Sequence, residues 1–402
     1  MKKNTKALLV SAVVLTVVAA ALVFWVLAGT NGGEKAASVK TGAEDTEEQS
    51  GKKMEKETEE EVLEGEKTEG TAEETQPEEE TPEKEEMEKE TPEEVTMVFS
   101  GDILLSSYVL NNYENNGING VISEELLTEM QSADVTMVNE EFPFSTRGTQ
   151  AADKQFTFRV DPSYVKIFQE MGIDVVTLAN NHALDYGKEA LSDTFQTIDG
   201  AGIGYVGAGD SKERAAEPYV TELGGKTFGF LAASRVIPEV GWNIENQQPG
   251  LLCTYDSEAL CEAIRETKKS CDYVVVYVHW GIERENTPQD YQRQLGKAYI
   301  DAGADMVIGS HPHVLQGIEY YNGKPIVYSL GNYIFNQDIG KTVLLKATVT
   351  PENETILQLI PAYASGARTQ KMDAAQVGEL YQFMEEISYD IVVGEDGVVV
   401  WD

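Results

Sequence analysis

The four histidines of this chain fall into three short motifs, each of which follows an apolar run that predicts a β-strand. The motifs are "TLANNHALDYG" with His182, "VVVYVHWGIE" with His279, and "VIGSHPHVLQ" with His311 and His313. Because open α/β folds bind ligands at the carboxyl ends of their strands, this pattern predicts that the four rings meet at one sheet edge. Neutral imidazole is a frequent protein ligand of transition metals, so the motifs indicate a metal site.

Oxygen ligands end the other predicted strands. Asp102 ends the strand in "FSGD", Glu140 and Glu141 end the strand in "VNEE", and Asn181 stands in "ANNH". In "HPH" the two histidines are two residues apart, which places both rings on one side of an extended segment that Pro312 stiffens. The sequence therefore predicts carboxylate, carboxamide and imidazole groups around one centre.

This donor set suits Mn, Fe or Zn better than calcium, and it contains more ligands than one tetrahedral ion needs. Two divalent transition-metal ions bridged by one carboxylate are therefore expected. Such a pair activates water and stabilises an in-line displacement at phosphorus.

The elements that position these groups alternate between strand and helix in the first two thirds of the segment from Val95 to Asp402. Their nearly continuous apolar strands indicate sheets that are covered on both faces. In the last third, Asn322-Gly323 predicts a hairpin turn, and a helix is expected around Ala374 to Ile387. This order predicts an α/β fold with two sheets packed face to face and helices outside.

The chain divides by composition into residues 1–30, 31–94 and 95–402. The uncharged run from Ala7 to Ala28 would reach about 33 Å as a helix, which predicts a single-pass transmembrane anchor. Lysines precede it, so the positive-inside rule predicts a cytoplasmic N-terminus and a C-terminal domain outside the cell membrane. A cleaved signal peptide is the alternative interpretation.

The segment 31–94 contains 25 acidic and 8 basic residues and no aromatic side chain. It is predicted to be a disordered tether, because so few apolar groups cannot form a core. The formal net charge of the whole chain is −38, which argues against a nucleic-acid partner. The odd set Cys253, Cys261 and Cys271 allows one disulfide, and burial as small apolar side chains is equally compatible.

Six motifs in order resemble the CapA family of poly-γ-glutamate capsule synthesis proteins. They are "SGDILL", "NEEFP", "LANNHALDYG", "HWGIE", "GADMVIGSHPHVLQGIE" and "KPIVYSLGNYIF", and they extend from about Val95 to Phe335. The resemblance implies a four-layer αββα sandwich, similar to the calcineurin-like metallophosphatases, with a dinuclear metal centre.

The resemblance also implies a set of metal ligands. These are Asp102, Glu141, Asn181, His279, His311 and His313. Asp102 and His313 would hold one ion. The second ion would be held by Asn181, His279 and His311, and Glu141 would bind both ions. Glu141 is preferred to Glu140 because the family pattern Asn-x-Glu-x-Pro aligns with it. The Asp-x-His pair of the phosphatases is missing here, so the first ion is expected to be weakly held or absent.

His182 would then be the imidazole that binds no metal, donating a proton to a leaving oxygen or stabilising developing charge. Asp185 would orient it, and a helix N-cap is the alternative role of Asp185. Arg159 is a candidate contact for an anionic substrate, and a surface ion pair is its alternative role. Trp280 and Glu283 are candidates for the rim of the pocket.

Three functions remain open from the sequence. The first is a membrane-anchored part of poly-γ-glutamate synthesis or export, with an anionic polymer and other capsule synthesis proteins as partners. The second is a secreted metal-dependent phosphoesterase of a cell-surface substrate. The third is an assembly module in which the metal has no catalytic role.

Overall fold

Two β-sheets bring the predicted site residues to their strand ends in a computed structural model, which describes residues 93–336 and 338–401. The strands are β1 Val95–Ile103, β2 Val135–Glu140, β3 Val175–Thr177, β4 Gly204–Val206, β5 Ala208–Gly209, β6 Tyr219–Leu223, β7 Lys226–Ser234, β8 Gly250–Leu251, β9 Tyr273–His279, β10 Met306–Ser310, β11 Leu315–Tyr321, β12 Lys324–Leu330, β13 Asn332–Ile334, β14 Ile339–Val349, β15 Thr355–Ser365, β16 Arg368–Lys371, β17 Ile391–Val393 and β18 Val399–Trp401.

Helices follow most of the parallel strands. They are α1 Ser107–Asn116, α2 Glu124–Gln131, α3 Val165–Met171, α4 Gly187–Gly200, α5 Lys212–Ala216, α6 Glu258–Lys268, α7 Asp290–Ala302 and α8 Ala374–Ile387. Short 3₁₀ turns lie at Gly117–Gly120, Pro162–Tyr164 and Val240–Trp242. The predicted alternation of strands and helices is thus confirmed, and so is the helix expected from Ala374 to Ile387.

The first sheet has the order β16-β15-β14-β1-β2-β3-β4, and β13 pairs with the end of β1. Strands β1 to β4 are parallel, whereas β14, β15 and β16 extend the sheet in antiparallel fashion. The second sheet has the order β11-β12-β10-β9-β7-β6, and its four central strands are parallel. Asn322 and Gly323 join β11 to β12 with φ of 53° and 75°, so the predicted tight hairpin turn is confirmed.

Three apolar clusters define the layers. One contains side chains of both sheets, such as Phe99 of β1 and Tyr277 of β9, and fills the space between the sheets. A second packs α1 to α4 on the outer face of the first sheet. A third packs α6 and α7 on the outer face of the second sheet, for example through Leu260 and Tyr299. The described residues therefore form an α/β fold with the sheets between two helical layers.

Close backbone approach joins the two sheets near the predicted site. A Cβ atom at Gly101 would lie 1.8 Å from the carbonyl oxygen of Gly331, so only glycine fits here. The next amide, that of Asp102, donates to the same oxygen over 2.8 Å. The glycine pair thus fixes Asp102, at the end of β1, against the segment that follows β12.

The predicted membrane anchor from Ala7 to Ala28 and almost all of the acidic tether lie outside the described residues. Among the residues that are described, no helix combines the length and the apolar character needed to span a bilayer. Cys253, Cys261 and Cys271 are all buried free thiols, so the disulfide that the sequence allowed is not formed. They pack as small apolar side chains, as the alternative interpretation held.

Candidate metal centre

Strand ends of both sheets converge on one buried cluster of ligand atoms. Asp102 and Glu141 come from the ends of β1 and β2 in the first sheet, and His279 ends β9 in the second. His311 and His313 follow β10, which pairs with β9 so that Ser310 lies opposite His279. The parallel register within each sheet therefore delivers all five side chains to the same edge.

The cluster contains two groups of three potential ligands. Glu141, His279 and His311 form one, and Asp102, Glu141 and His313 form the other. Within each group the ligand atoms lie no more than 4.8 Å apart. Glu141 belongs to both groups, as a carboxylate that bridges two ions would.

The buried atoms of the cluster fit a cation. Both carboxylate oxygens of Glu141 are buried without a hydrogen-bond partner among the described residues, and so is Nδ1 of His311. Burial raises the pKa of Glu141 well above its usual value, and the nearby carboxylate of Asp102 raises it further. A buried acceptor without a partner destabilises the fold by about 1–3 kcal/mol. Metal ions would satisfy these lone pairs and keep Glu141 ionised.

The neighbours of His279 leave one ring nitrogen available to a metal. Its Nδ1 lies 3.0 Å from Oγ of Ser310, and its Nε2 lies 3.0 Å from Oδ1 of Asn181 and 3.9 Å from Oε1 of Glu141. Burial, followed by the positive charges of the other histidines, lowers the pKa of His279 well below its usual value. The ring is therefore neutral: its Nε2 either donates to Oδ1 of Asn181 or, when Nδ1 donates to Ser310, offers its lone pair to a metal beside that oxygen.

His313 faces a more acidic environment. Its Nδ1 lies 2.7 Å from Oδ1 of Asn332 and 3.3 Å from Oδ2 of Asp102. Burial lowers its pKa, but Glu141, Asp102 and Asn332 outweigh this effect and raise the pKa to about 10. His313 therefore lies on the acidic side of the cluster, in contact with Asp102.

The "HPH" turn has an unusual backbone. His311 and His313 have φ of 98° and 59°, in the left-handed region that residues with a side chain rarely adopt. Conformations of this kind cost about 1–3 kcal/mol and persist where the surrounding structure enforces them. The backbone amide of His311 lies 3.4 Å from Oδ2 of Asp102, which ties this turn to the first sheet.

His182 belongs to neither ligand group but lies beside them. Its Nε2 is 3.9 Å from Oε1 of Glu141, and its Nδ1 is 2.7 Å from Oδ2 of Asp185 and 2.9 Å from Nζ of Lys154. The structure thus places His182 and Asp185 in the arrangement expected of a catalytic imidazole and its orienting carboxylate. Burial lowers the pKa of His182, although the Asp185 contact raises it.

Lys154 completes this group. Its ammonium donates to Oδ1 of Asp185 and to the carbonyl oxygen of Asn181, and burial lowers its pKa. Nδ1 of His182 can either donate a hydrogen bond to Asp185 or accept a hydrogen bond from Lys154. The first arrangement leaves Nε2 as a base, and the second leaves it as a proton donor.

A family model described as "Bacterial capsule synthesis protein PGA_cap" matches residues 96–337, a range that includes both ligand groups, His182 and Asp185. The chain belongs to this family. The PGA biosynthesis protein CapA of Bacillus subtilis (strain 168) is 37% identical over 250 residues, which cover 61% of this chain and 64% of that protein. The capsule biosynthesis protein CapA of Bacillus anthracis is 32% identical over 281 residues, 67% of each chain.

The chain thus spans 64% of the length of the Bacillus subtilis relative. Among solved structures, a hypothetical protein from Thermus thermophilus is similar with a TM-score of 0.42 and 17% identity, covering 67% of this chain and 100% of that one. Because this TM-score is below 0.5, the likeness contributes nothing to the assignment. The six motifs predicted membership of the capsule synthesis family correctly.

The predicted substrate contacts are not gathered at the cluster. Arg159 is exposed, its Nη1 donates to the carbonyl oxygen of Arg147, and its guanidinium lies 4.1 Å from the ring centre of Tyr186. Trp280 is fully buried, so the structure contradicts its expected place at the pocket rim. Strand alternation turns it away from His279 and into the outer helical layer. Glu283 is exposed on the loop after β9.

Several residues that organise this family's site carried no clear signal in the sequence. Asn180 donates to Oδ1 of Asn139 over 3.1 Å and accepts from the amide of His182 over 2.9 Å. Asn139 donates in turn to Oδ1 of Asp102 over 2.8 Å. Both asparagines stand inside quoted motifs, which could have suggested this network. Lys154 stands in a segment with no motif, so only the structure reveals it.

Proposed function

We propose that this chain is a membrane-anchored, extracytoplasmic participant in poly-γ-glutamate capsule synthesis or export, in which a metal-dependent hydrolytic site acts on the polymer or on an activated intermediate. The capsule synthesis family supports the biological setting, and the names of the two Bacillus relatives agree with it. The single observation that supports the chemistry is the position of Glu141, which is buried without a hydrogen-bond partner among the described residues and is shared by two ligand groups.

The metal ions we propose are two divalent transition ions, Mn, Fe or Zn. Imidazole and carboxylate ligands favour these ions over calcium, and the two groups that share Glu141 favour a pair. When bound, they would supply a Lewis acid that polarises an acyl or phosphoryl oxygen and makes water a stronger nucleophile.

The chain itself would move protons through His182. Asp185 and Lys154 hold its Nδ1, while Nε2 faces Glu141 at 3.9 Å. A proton-transfer group in this position contributes about 10²–10⁴-fold to the rate of such reactions. The side chain can accept a proton from water or deliver one to a leaving group.

Membrane anchoring and the extracellular location are proposed from the sequence alone. The run from Ala7 to Ala28 and the lysines before it support an anchor with the folded domain outside. Other capsule synthesis proteins and an anionic polymer are the proposed partners. No nucleic-acid partner is proposed, because the chain is strongly acidic.

The second candidate function is a phosphoesterase of a cell-surface substrate. The shared position of Glu141 favours it, because paired metal ions stabilise both the attacking and the leaving oxygen at phosphorus. Hydrolysis of a chromogenic phosphodiester by the metal-loaded full-length chain, lost by at least about 10²-fold in His182→Ala, would support this function. Hydrolysis of poly-γ-glutamate without hydrolysis of the phosphodiester, measured as a decrease in polymer length, would support action on the polymer.

The metal content of purified full-length protein tests the site itself. Glu141→Gln is expected to lose most of its bound transition metal, because the substitution removes the charge shared by both groups. Glu140→Gln is the matched control: this neighbouring carboxyl is equally buried but belongs to neither group. Equal metal content in both variants, measured by elemental analysis, would contradict the proposed centre.

A further inference from the structure

Arg235 follows the last residue of β7, at the strand end that pairs with the end of β9 at His279. Its amide donates to the carbonyl oxygen of His279 over 2.8 Å. Leu231 and Ala233 of the same strand point into the outer helical layer of the second sheet. Arg235 continues this alternation, so its side chain extends around the strand end towards α7.

Two tyrosines flank the guanidinium group. Its central carbon lies 4.3 Å from the ring centre of Tyr255 and 5.4 Å from that of Tyr291. The hydroxyl of Tyr291 accepts from the amide of Gly281 over 2.8 Å, which ties this ring to the turn after His279. Tyr255 is 55% exposed, so the slot is open to solvent on one side.

The guanidinium lacks an anionic partner. Its Nη1 is shielded from solvent and has no hydrogen-bond partner, and no ion pair within residues 93–336 and 338–401 includes it. The lack is notable in a chain with 69 acidic residues and 31 basic ones. A shielded charged donor without a partner destabilises the fold, so such groups are usually paired.

Arg214 shows what a structural arginine–tyrosine pair looks like in this protein. Its guanidinium lies 3.9 Å from the ring centre of Tyr205, and its Nη2 donates to the carbonyl oxygen of the same residue over 3.1 Å. Its Nε lies 3.7 Å from a carboxylate oxygen of Glu217. Arg235 has a similar aromatic contact but neither of the polar ones.

We propose that Arg235, Tyr255 and Tyr291 form an anion subsite that binds a carboxylate or phosphate group of the substrate at the sheet edge that carries the metal centre. A guanidinium can donate two parallel hydrogen bonds to either group, and the flanking rings hold its plane in place. This proposal rests on the proposed function, because the subsite and the metal centre would bind the same anionic substrate. It would supply the local positive charge that an acidic protein needs to hold an anion.

Direct binding to the metal-loaded full-length chain tests the subsite with two probes, a fluorescent γ-linked glutamate oligomer and inorganic phosphate. Arg235→Gln is expected to weaken binding of at least one probe by about 10- to 100-fold, the range for a hydrogen-bonded charge. Arg235→Lys keeps the charge without the planar fork and should recover only part of the loss. Loss with the oligomer identifies the anion as a carboxylate, and loss with phosphate identifies it as a phosphate.

Arg214→Gln is the matched control and should bind both probes as the parent does. Tyr255→Ser removes an exposed flank at little risk to folding and should weaken binding by a few-fold. Unchanged binding of both probes in Arg235→Gln and Tyr255→Ser, at unchanged melting temperature, would overturn the subsite.

The same comparison in a His279→Ala background separates the two proposals, because that change removes a metal ligand and leaves Arg235 in place. A persisting effect of Arg235→Gln would support the subsite even if the metal centre failed its own test. Failure of the metal-content test would count against the proposed function alone.

Discussion

Oδ2 of Asp185 lies 2.7 Å from Nδ1 of His182, so a fully buried carboxylate orients an imidazole that belongs to neither ligand group. Carboxylates that orient a functional imidazole contribute about 10- to 100-fold beside a metal and up to about 10⁴-fold in catalytic triads. Asp185→Asn should therefore lower turnover by at least about 10-fold while metal content stays at the parent level. Turnover of whichever substrate the parent hydrolyses, together with elemental analysis of the same sample, measures both quantities. Loss of metal would show a structural role of Asp185 instead.

The two ligand groups should differ in strength. Asp102 and His313 are the two ligands that occur in only one of the groups. Asp102 is a carboxylate, and the Nδ1 of His313 already contacts Asn332. Asp102→Asn is thus expected to remove about one of two bound ions and to leave the ion at His279 and His311 in place. Chelator titration of the parent should show the same order, with one ion leaving first. A single-step loss of both ions, or an unchanged stoichiometry in the variant, would contradict this.

Metal affinity should increase with pH. Although burial lowers the pKa of His313, the carboxylates of Glu141 and Asp102 raise it to about 10, so metal must displace a proton from this ring near neutrality. Each proton that metal displaces makes binding about tenfold tighter per pH unit below the pKa. Dissociation constants from chelator competition at about pH 6, 7 and 8 measure the slope. His313→Gln should reduce the slope by about one proton, and a flat profile in the parent would refute the mechanism.

Glu140 offers a prediction about stability. Its two carboxylate oxygens are buried without a partner among the described residues, and burial raises its pKa well above the usual value. A group whose pKa is raised on folding stabilises the fold fully only below its unfolded pKa, about 4.3, and this contribution is lost as the pH rises towards the folded pKa. Glu140→Gln does not titrate, so its stability relative to the parent should increase as the pH rises above about 4.

Denaturant unfolding of both proteins at several pH values, with the full-length chain, gives this difference directly. The variant should retain its metal, because Glu140 is absent from both ligand groups. A parent that is more stable than Glu140→Gln at neutral pH would show that the carboxylate has a partner in solution.

Much of the site could be predicted because its residues stand at strand ends in short, recognisable motifs. His182, His279, His311 and His313 are the only histidines of the chain, and parallel register brings those that share a sheet to one edge. The α/β class followed from apolar strands that alternate with helices. These features depend on local sequence and on the short-range rules of sheet formation.

The rest depends on side-chain direction and on contacts distant in the sequence. Trp280 stands next to His279 and was expected at the rim, but its indole Nε1 donates to the carbonyl oxygen of Tyr328 inside the outer layer. Lys154 reaches His182 from a loop 28 positions earlier, which no spacing rule could indicate. The proposed role of Arg235 rests on the lack of an anionic partner within the described part of the chain, which a sequence does not reveal.

The left-handed backbone at His311 and His313 bears on how quickly the protein takes up and releases its ions. The contact between the backbone amide of His311 and Oδ2 of Asp102 supports this shape, so we expect capture to require no folding of the ligand-bearing turn. The rate of exchange should then be governed by desolvation of the incoming ion and by the lifetime of the bound one, rather than by slow rearrangement of the polypeptide.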